Sequence, residues 1–289
     1  MAYQHPEFLI SAGELHRSIA DPDLRVFDCA VYLYPQGQGG YKIESGREQY
    51  AAGHIPGAGF IDLVADWADT QSELRFTLPS AGALQDAIGK SGIAPDQRVV
   101  LYSNGHLMWA TRAWWLLKYA GHKNIAILNG NLGAWRTAGY ALESGESVYP
   151  QTSFSAAHQP HHFVDTAQVE AGMHGAVCTI NSLSRALYEG TGDFFYERRG
   201  HIPGSKLVYF DTLLDNEHFL PADQLRQVLN ESDMLSAEKV ITYCGGGIAA
   251  TLDAFACVLC GQEQVAVYDG SMSEWVSDPD RPLTEGAAP

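Results

Sequence analysis

Short, largely apolar runs recur along this chain and separate longer segments with helical periodicity. The runs have the length of β-strands and are rich in Val and Ile; they comprise residues 26–28, 99–102, 125–128, 177–180, 240–243 and 265–268. Because they are continuous rather than alternating, we predict strands buried on both faces of a parallel sheet. Segments 107–120 and 249–260 predict helices, since each is followed by a glycine suited to a helix C-terminus.

The alternation of strand and helix along the chain predicts the fold class. It indicates an α/β protein in which an open, mostly parallel sheet has helices on both faces. Right-handed crossovers then bring the strand-to-helix turns to one edge of the sheet, where ligands usually bind.

Three sequence segments return in the same order further along the chain. GHIPGAGFIDL at 53–63 returns as GHIPGSKLVYFD at 200–211, VVLYS at 99–103 as VITYC at 240–244, and LNGNLGAW at 128–135 as YDGSMSEW at 268–275. A near-constant spacing of about 140 residues indicates two copies of one unit rather than a solenoid.

The segment between the copies is polar, contains proline and has no periodicity, which is typical of a linker. We therefore predict a first domain at 1–145, a linker at 146–164 and a second domain at 165–289.

Composition narrows the possible functions. The chain has 289 residues and a formal net charge of −16, so a general nucleic-acid binder is not expected. No apolar run reaches the length of a membrane-spanning helix, and the N-terminal residues do not resemble a signal peptide. These patterns predict a cytoplasmic protein without membrane contact.

The five cysteines do not have the number or spacing of a disulfide framework. Cys257 and Cys260 lie in the apolar segment 249–260, where packing explains them better than zinc binding, because no further ligands accompany them. Cys244 differs from the others. It directly follows the predicted strand 240–243, and glycines at 245–247 lead from it into the predicted helix.

Glycines allow a turn to aim several backbone N–H groups at one point, and a helix N-terminus adds partial positive charge there. We therefore expect the turn to stabilise a thiolate or an anionic persulfide at Cys244. The first copy has Ser103 at the equivalent position and lacks the glycine run. This divergence predicts one reactive site in a duplicated protein.

Together, the duplication, the two His-Ile-Pro-Gly motifs, the Cys-Gly-Gly-Gly turn and the YDGSMSEW segment resemble the tandem-domain rhodanese family. That family contains thiosulfate and 3-mercaptopyruvate sulfurtransferases, and the resemblance covers residues 13–275. It implies two tandem rhodanese-like domains, of which the first is catalytically silent, with the active site between them. It also implies that Cys244 accepts a sulfur atom from a small anionic donor as a persulfide.

The resemblance further implies a set of site residues. The turn that binds the persulfide would comprise Gly245, Gly246, Gly247, Ile248 and Ala249, and the substrate-binding residues would be Arg198, Arg199 and His54. The acceptor would be cyanide, a small thiol or a thioredoxin-like protein. We expect neither a cofactor nor a metal, because no fingerprint for either is present.

Departures from the family pattern leave the donor open. Thiosulfate-type members usually carry basic side chains after the cysteine, where this chain has Gly245 and Gly246, and Leu183 stands where an arginine is common. The Cys-Gly-x-Gly pattern is closer to that of mercaptopyruvate sulfurtransferases.

Two alternatives use the same fold. A phosphatase or arsenate reductase needs an arginine at the end of the loop to bind a tetrahedral oxyanion, and residues 248–251 contain none. A non-enzymatic persulfide carrier that is loaded by a partner protein remains open.

Overall fold

The computed structural model describes residues 2–36, 40–173, 175–192 and 198–289. In the first domain the strands are β1 (Leu9–Ile10), β2 (Leu24–Asp28), β3 (Val31–Pro35), β4 (Tyr41–Ser45), β5 (Gly59–Phe60), β6 (Arg98–Tyr102) and β7 (Ile125–Leu128). Its α-helices are α1 (Ala12–Ser18), α2 (Arg47–Ala52), α3 (Ala81–Lys90), α4 (Met108–Tyr119) and α5 (Asn131–Thr137).

The second domain has a similar order of elements, but its two-stranded hairpin comes later in that order. Its strands are β8 (Phe163–Val164), β9 (Val177–Asn181), β10 (Lys206–Leu207), β11 (Leu214–Asp215), β12 (His218–Phe219), β13 (Lys239–Tyr243) and β14 (Val265–Tyr268). Its α-helices are α6 (Thr166–Gly172), α7 (Arg185–Tyr188), α8 (Ala222–Glu231), α9 (Ala249–Leu259) and α10 (Ser271–Trp275).

Each domain is built on a parallel sheet. The strand orders are β1-β7-β6-β2-β5 and β10-β9-β13-β14-β8, and neighbouring strands in both sheets pair in parallel. The hairpins β3-β4 and β11-β12 lie outside these sheets. The α/β architecture expected from the apolar runs is confirmed.

Helices cover both faces of each sheet. One face of the first sheet packs against α1 and α5, and one face of the second packs against α6 and α10. The opposite faces belong to a single apolar cluster that extends through both domains and includes α4 and α9. The two domains therefore share part of their core, and burial of this apolar area holds them together.

Helices α4 and α9 contact each other at the centre of the molecule. The hydroxyls of Thr111 and Thr251 are 2.8 Å apart and fully buried there. These threonines occupy equivalent positions in the two copies, so the contact lies on the approximate two-fold axis that relates the domains.

The segment predicted as a linker is anchored to the folded domains at several points, although many of its residues are exposed. Phe154 is buried, and the Thr152 hydroxyl donates to the carbonyl of Ile93 at 2.6 Å. Its last two residues form β8, which pairs with β14 of the second sheet. His162 is also buried, and burial lowers its pKa to about 3. Among the described residues no helix has the length and apolar character needed to cross a bilayer.

Candidate active site

Cys244 lies at the carboxyl end of β13, the middle strand of the second sheet. Residues 244–248, here called the cysteine turn, connect this strand to α9, which begins at Ala249. Cys244 is 3% exposed, so only a small part of it is accessible from solvent. The turn occupies the edge of the sheet at which parallel α/β folds bind ligands.

Glycine is required at one position of the cysteine turn. Gly247 has a φ of +73°, and a Cβ atom there would lie 2.5 Å from the carbonyl oxygen of Asp269. A side chain would be strained by both the backbone conformation and this contact. The glycine at 247 therefore allows the turn to pack closely against the segment after β14.

Ser271 anchors both ends of the cysteine turn. Its hydroxyl oxygen accepts the N–H groups of Cys244 and Gly247 at 3.1 and 3.0 Å, and it donates to the carbonyl of Tyr268 at 2.7 Å. Ser271 is fully buried and has a φ of +50°, a conformation rarely adopted by a residue with a side chain.

The carbonyl groups at the start of the turn are held by α10. Met272 N–H donates to the Cys244 carbonyl at 3.0 Å, and both the amide and the hydroxyl of Ser273 donate to the Gly245 carbonyl, at 2.9 and 2.7 Å. These bonds direct the carbonyl oxygens towards α10. The turn is thus fixed by its neighbours without any charged side chain of its own.

Three amides of the cysteine turn remain available. Within the described residues, the N–H groups of Gly245, Gly246 and Ile248 donate to no acceptor. Unpaired amides at the start of a helix, together with the helix dipole, favour a negative charge nearby. The arrangement can therefore bind an anion next to the Cys244 sulfur.

The first domain also contacts the cysteine turn, through Arg112 of α4. This buried guanidinium donates to the carbonyls of Gly247 and Phe76, at 3.2 and 2.6 Å, and pairs with the Asp269 carboxylate at 2.8 Å. The other carboxylate oxygen of Asp269 accepts the N–H of Leu78 at 2.7 Å. The turn is therefore held by residues of both domains.

The equivalent turn of the first domain, residues 103–107, is called the serine turn here. Ser103 N–H donates to the side-chain oxygen of Asn131 at 2.9 Å, as Cys244 N–H donates to Ser271. Glu217 of the second domain places its carboxylate at this turn, where it accepts the N–H of Leu107 and, at 2.7 Å, the side-chain amide of Asn131. The serine turn is therefore occupied by a carboxylate from within the protein.

The structure places His54 against Tyr50, and its role in substrate binding stays a prediction. The side chain is fully buried, its Nδ1 is 2.9 Å from the Tyr50 carbonyl, and its ring stacks on that of Tyr50. His201 of the second copy makes the matching contact with Tyr188. The shared pattern indicates that the histidine of each motif stabilises its own domain.

The predicted arginines directly precede Gly200 and the second His-Ile-Pro-Gly motif. The Arg198 guanidinium donates to the carbonyls of Asp278 and Arg281, at 2.6 and 2.5 Å, and so holds the C-terminal segment. Arg199 is exposed and lies beside Gly190. The role of both arginines in substrate binding stays a prediction.

The site predicted from the sequence did not include Ser271, Asp269 or Arg112. A signal for the first two was present, because YDGSMSEW repeats LNGNLGAW and places a polar residue at each equivalent position. Arg112 sits in an apolar helix beside three tryptophans at 109, 114 and 115, which suggested a core position. It is buried, but two of its three partners, Gly247 and Asp269, belong to the other domain.

Comparison with known proteins agrees with this architecture. The family model described as a rhodanese-like domain matches residues 11–138 and 184–278. A probable 3-mercaptopyruvate sulfurtransferase of Pseudomonas aeruginosa is 33% identical over 287 residues, covering 96% of this chain and 98% of the relative. Thiosulfate/3-mercaptopyruvate sulfurtransferase 2 of Arabidopsis thaliana is 30% identical over 303 residues, covering 96% and 86%.

A solved structure extends the likeness to three dimensions. The crystal structure of SseA from Escherichia coli, described as a 3-mercaptopyruvate sulfotransferase, superposes with a TM-score of 0.80 at 28% identity, covering 91% of this chain and 98% of that one. Fold, turn and relatives together define a sulfurtransferase. The chain belongs to the rhodanese family.

Proposed function

We propose that this sulfurtransferase carries sulfur as a persulfide on Cys244 and that its preferred donor is 3-mercaptopyruvate. The observation that carries the proposal is the set of unpaired amides of Gly245, Gly246 and Ile248 around the cysteine. A persulfide anion formed on Cys244 would accept these N–H groups, which then stabilise a charge that the free turn does not hold.

In the first step the Cys244 thiolate attacks the thiol sulfur of 3-mercaptopyruvate. A sulfur–sulfur bond forms while the carbon–sulfur bond of the donor breaks, and its electron pair leaves as the enolate of pyruvate. The enolate takes up the proton of the transferred thiol, which gives pyruvate and a Cys244 persulfide anion. The step is an internal exchange that needs no external oxidant or reductant.

In the second step an acceptor nucleophile attacks the outer sulfur of the persulfide. The sulfur–sulfur bond breaks and its electron pair returns to Cys244 as thiolate. Because Cys244 is only 3% exposed, a small acceptor such as cyanide or a low-molecular-weight thiol can approach it more easily than a folded protein. A thioredoxin-like acceptor would need to present its thiol on a protruding edge.

Charge supports the choice of donor. Residues 245–251 carry no basic side chain, and the nearby Arg112 is paired with Asp269. Thiosulfate brings two negative charges to the site, whereas 3-mercaptopyruvate brings one, on a carboxylate remote from the reacting sulfur. A site with little uncompensated positive charge favours the second donor.

We also propose that the first domain performs no chemistry. Ser103 replaces the cysteine, and the Glu217 carboxylate accepts a hydrogen bond from the N–H of Leu107. The domain boundaries at residues 145 and 165 remain predictions. The cytoplasmic location inferred from the sequence is also a prediction.

Intact-mass measurement tests the mechanism. Purified protein is incubated with 3-mercaptopyruvate or with thiosulfate, beside a Cys244→Ser variant. We expect a mass gain of one sulfur atom that is larger with 3-mercaptopyruvate, absent in the variant and reversed by cyanide with release of thiocyanate.

Two results would contradict the proposal. Equal or greater loading by thiosulfate overturns the donor assignment. The absence of a cyanide-reversible adduct with either donor, combined with loading by a persulfide-forming partner enzyme, would instead establish a protein-fed carrier.

A further inference from the structure

Arg112 of the first domain links three segments that surround Cys244. Its Nη1 contacts the Gly247 carbonyl and the Asp269 carboxylate, and its Nη2 contacts the Phe76 carbonyl. A single planar guanidinium thus connects the cysteine turn, the segment after β14 and a loop of its own domain. A side chain with one donor atom could not reach all three acceptors.

The contact with Gly247 sets the direction of an amide in the turn. The carbonyl of Gly247 and the N–H of Ile248 belong to one planar trans peptide, so they point in opposite directions. When the carbonyl is drawn towards Arg112, the Ile248 N–H faces away from it. That N–H is one of the three amides without an acceptor among the described residues.

The duplication provides an internal control for this contact. Arg112 follows Thr111, and the residue that follows the equivalent Thr251 is Leu252. Asp269 follows β14, and the residue that follows the equivalent strand β7 is Asn129. The charged pair therefore has an uncharged counterpart at the serine turn.

The serine-turn copy shows which part of this arrangement the fold requires. The serine-turn copy forms the same sheet and the same strand-to-helix connection with Leu252 and Asn129 in place of the pair. Burying two charges costs desolvation energy, and an apolar replacement of such a pair is often neutral or stabilising. The pair is thus not needed to build the domain, and it is found where sulfur chemistry is expected.

We propose that Arg112 is a positioning residue for the sulfur-transfer reaction. Acting through Gly247 and Asp269, it holds the Ile248 amide in the orientation that stabilises negative charge on the Cys244 sulfur. This inference rests on the proposed function but concerns a residue outside the predicted site. Arg112 is paired with Asp269, so it acts on the sulfur through the turn rather than by direct contact.

The double variant Arg112→Leu with Asp269→Asn copies the residues of the serine turn and leaves no buried charge unpaired. We expect it to fold, to lower kcat by about tenfold to a hundredfold and to change KM for the donor by less than about threefold. We also expect iodoacetamide alkylation of Cys244, followed by site-resolved mass spectrometry, to reach half its maximal rate at a higher pH.

Glu217→Gln is the matched control, because it removes a charged contact between the domains at the serine turn instead. It should keep the wild-type kcat and alkylation profile. If the double variant does not fold, Arg112→Lys takes its place, since it retains the charge but not the planar fork. A folded variant of either kind with wild-type kcat and alkylation profile overturns the proposal.

The alkylation profile also separates this inference from the proposed function. If the wild-type protein forms no persulfide, the proposed function fails, yet a shifted profile in the double variant still supports the role of Arg112. If the wild type forms a persulfide and both readouts are unchanged in the variant, only the role of Arg112 fails.

Discussion

The serine turn and the cysteine turn have the same construction but different contents. Each follows a buried central strand and is anchored by a residue of positive φ, which is Asn131 at +54° in one case and Ser271 at +50° in the other. Each anchor accepts the first N–H of its turn, from Ser103 and Cys244 respectively. The duplicated fold therefore builds the same kind of anchored strand-to-helix turn twice.

Each domain also donates a backbone N–H to a side chain of the other domain, at matching positions. The N–H of Phe219 donates to the Asn129 side chain at 3.0 Å, and the N–H of Leu78 donates to the Asp269 side chain at 2.7 Å. Two residues before these amides lie Glu217 and Phe76, with φ angles of +63° and +62°. Glu217 and Phe76 are thus structural counterparts.

The two counterparts present different groups to their turns, which contributes to the different roles of the domains in the proposed function. At the serine turn, Glu217 of the other domain supplies a carboxylate, which accepts the N–H of Leu107. At the cysteine turn the incoming Phe76 supplies a backbone carbonyl to Arg112 and an aromatic ring that packs against Trp109. The serine turn also has amides filled from within its own domain, because Asp28 accepts the N–H of Asn104 and the Ser103 hydroxyl accepts that of Gly105. The open amides of the cysteine turn therefore depend on more than the residue that the other domain contributes.

Phe76→Glu should have the largest effect, because it gives the cysteine turn the residue found at the serine turn. A carboxylate close to the Cys244 thiolate or persulfide would repel it, and we expect kcat/KM to fall about a hundredfold. Steady-state kinetics with the donor and cyanide measure this effect.

Phe76→Gln is the control for this substitution. It loses the same ring contact with Trp109 but adds no charge, so the Glu/Gln ratio isolates the electrostatic part. Equal activities of the two variants would show that a carboxylate at the serine turn does not explain why the first domain performs no chemistry.

Glu217→Gln should act on stability and leave activity intact. The carboxylate accepts hydrogen bonds from the first domain, and charge-assisted bonds of this kind are worth about 2 kcal/mol. We expect Tm to fall by about 5 °C, measured by calorimetry, with unchanged donor kinetics. A marked loss of sulfur transfer would show that the serine turn influences the cysteine turn.

The strand and the helix that flank the cysteine turn could be predicted from the sequence alone. The predicted strand 240–243 is observed as Lys239–Tyr243, and the predicted helix 249–260 as Ala249–Leu259. Continuous apolar runs and helix-ending glycines are local signals, and these buried elements follow them closely.

The contacts across the domain interface could not be predicted in the same way. Glu217 reaches Leu107 from a hairpin 110 positions away, and Arg112 reaches Gly247 from 135 positions away. Such pairings depend on how the shared core orients the domains, which no local pattern encodes. The substrate-binding roles of His54 and Arg198 are predicted from motif position alone, and the structure adds that both side chains contact backbone carbonyls within their own domains.

Asp28→Asn should have the smallest effect and a pH-dependent one. Asp28 ends β2 beside the serine turn and is fully buried, with one oxygen accepting the amides of Ala30 and Asn104 at 2.9 and 3.2 Å. Its counterpart at the end of β9 is Asn181. Burial raises the pKa of Asp28 from 3.8 to about 7, against the opposing effect of these hydrogen bonds.

The sign of the pH effect follows from this raised pKa. Between about pH 4 and pH 7 the folded protein keeps a proton that the unfolded chain releases, so stability is greatest below this window and declines as pH rises through it. Asparagine retains an acceptor oxygen and cannot ionise. We therefore expect the Tm of Asp28→Asn, relative to wild type, to be about 2–4 °C higher at pH 8 than at pH 5. A constant difference in Tm across this range would mean that Asp28 is already ionised in the folded protein at pH 5. The pKa of Asp28 would then be close to its value in the unfolded chain, despite its burial.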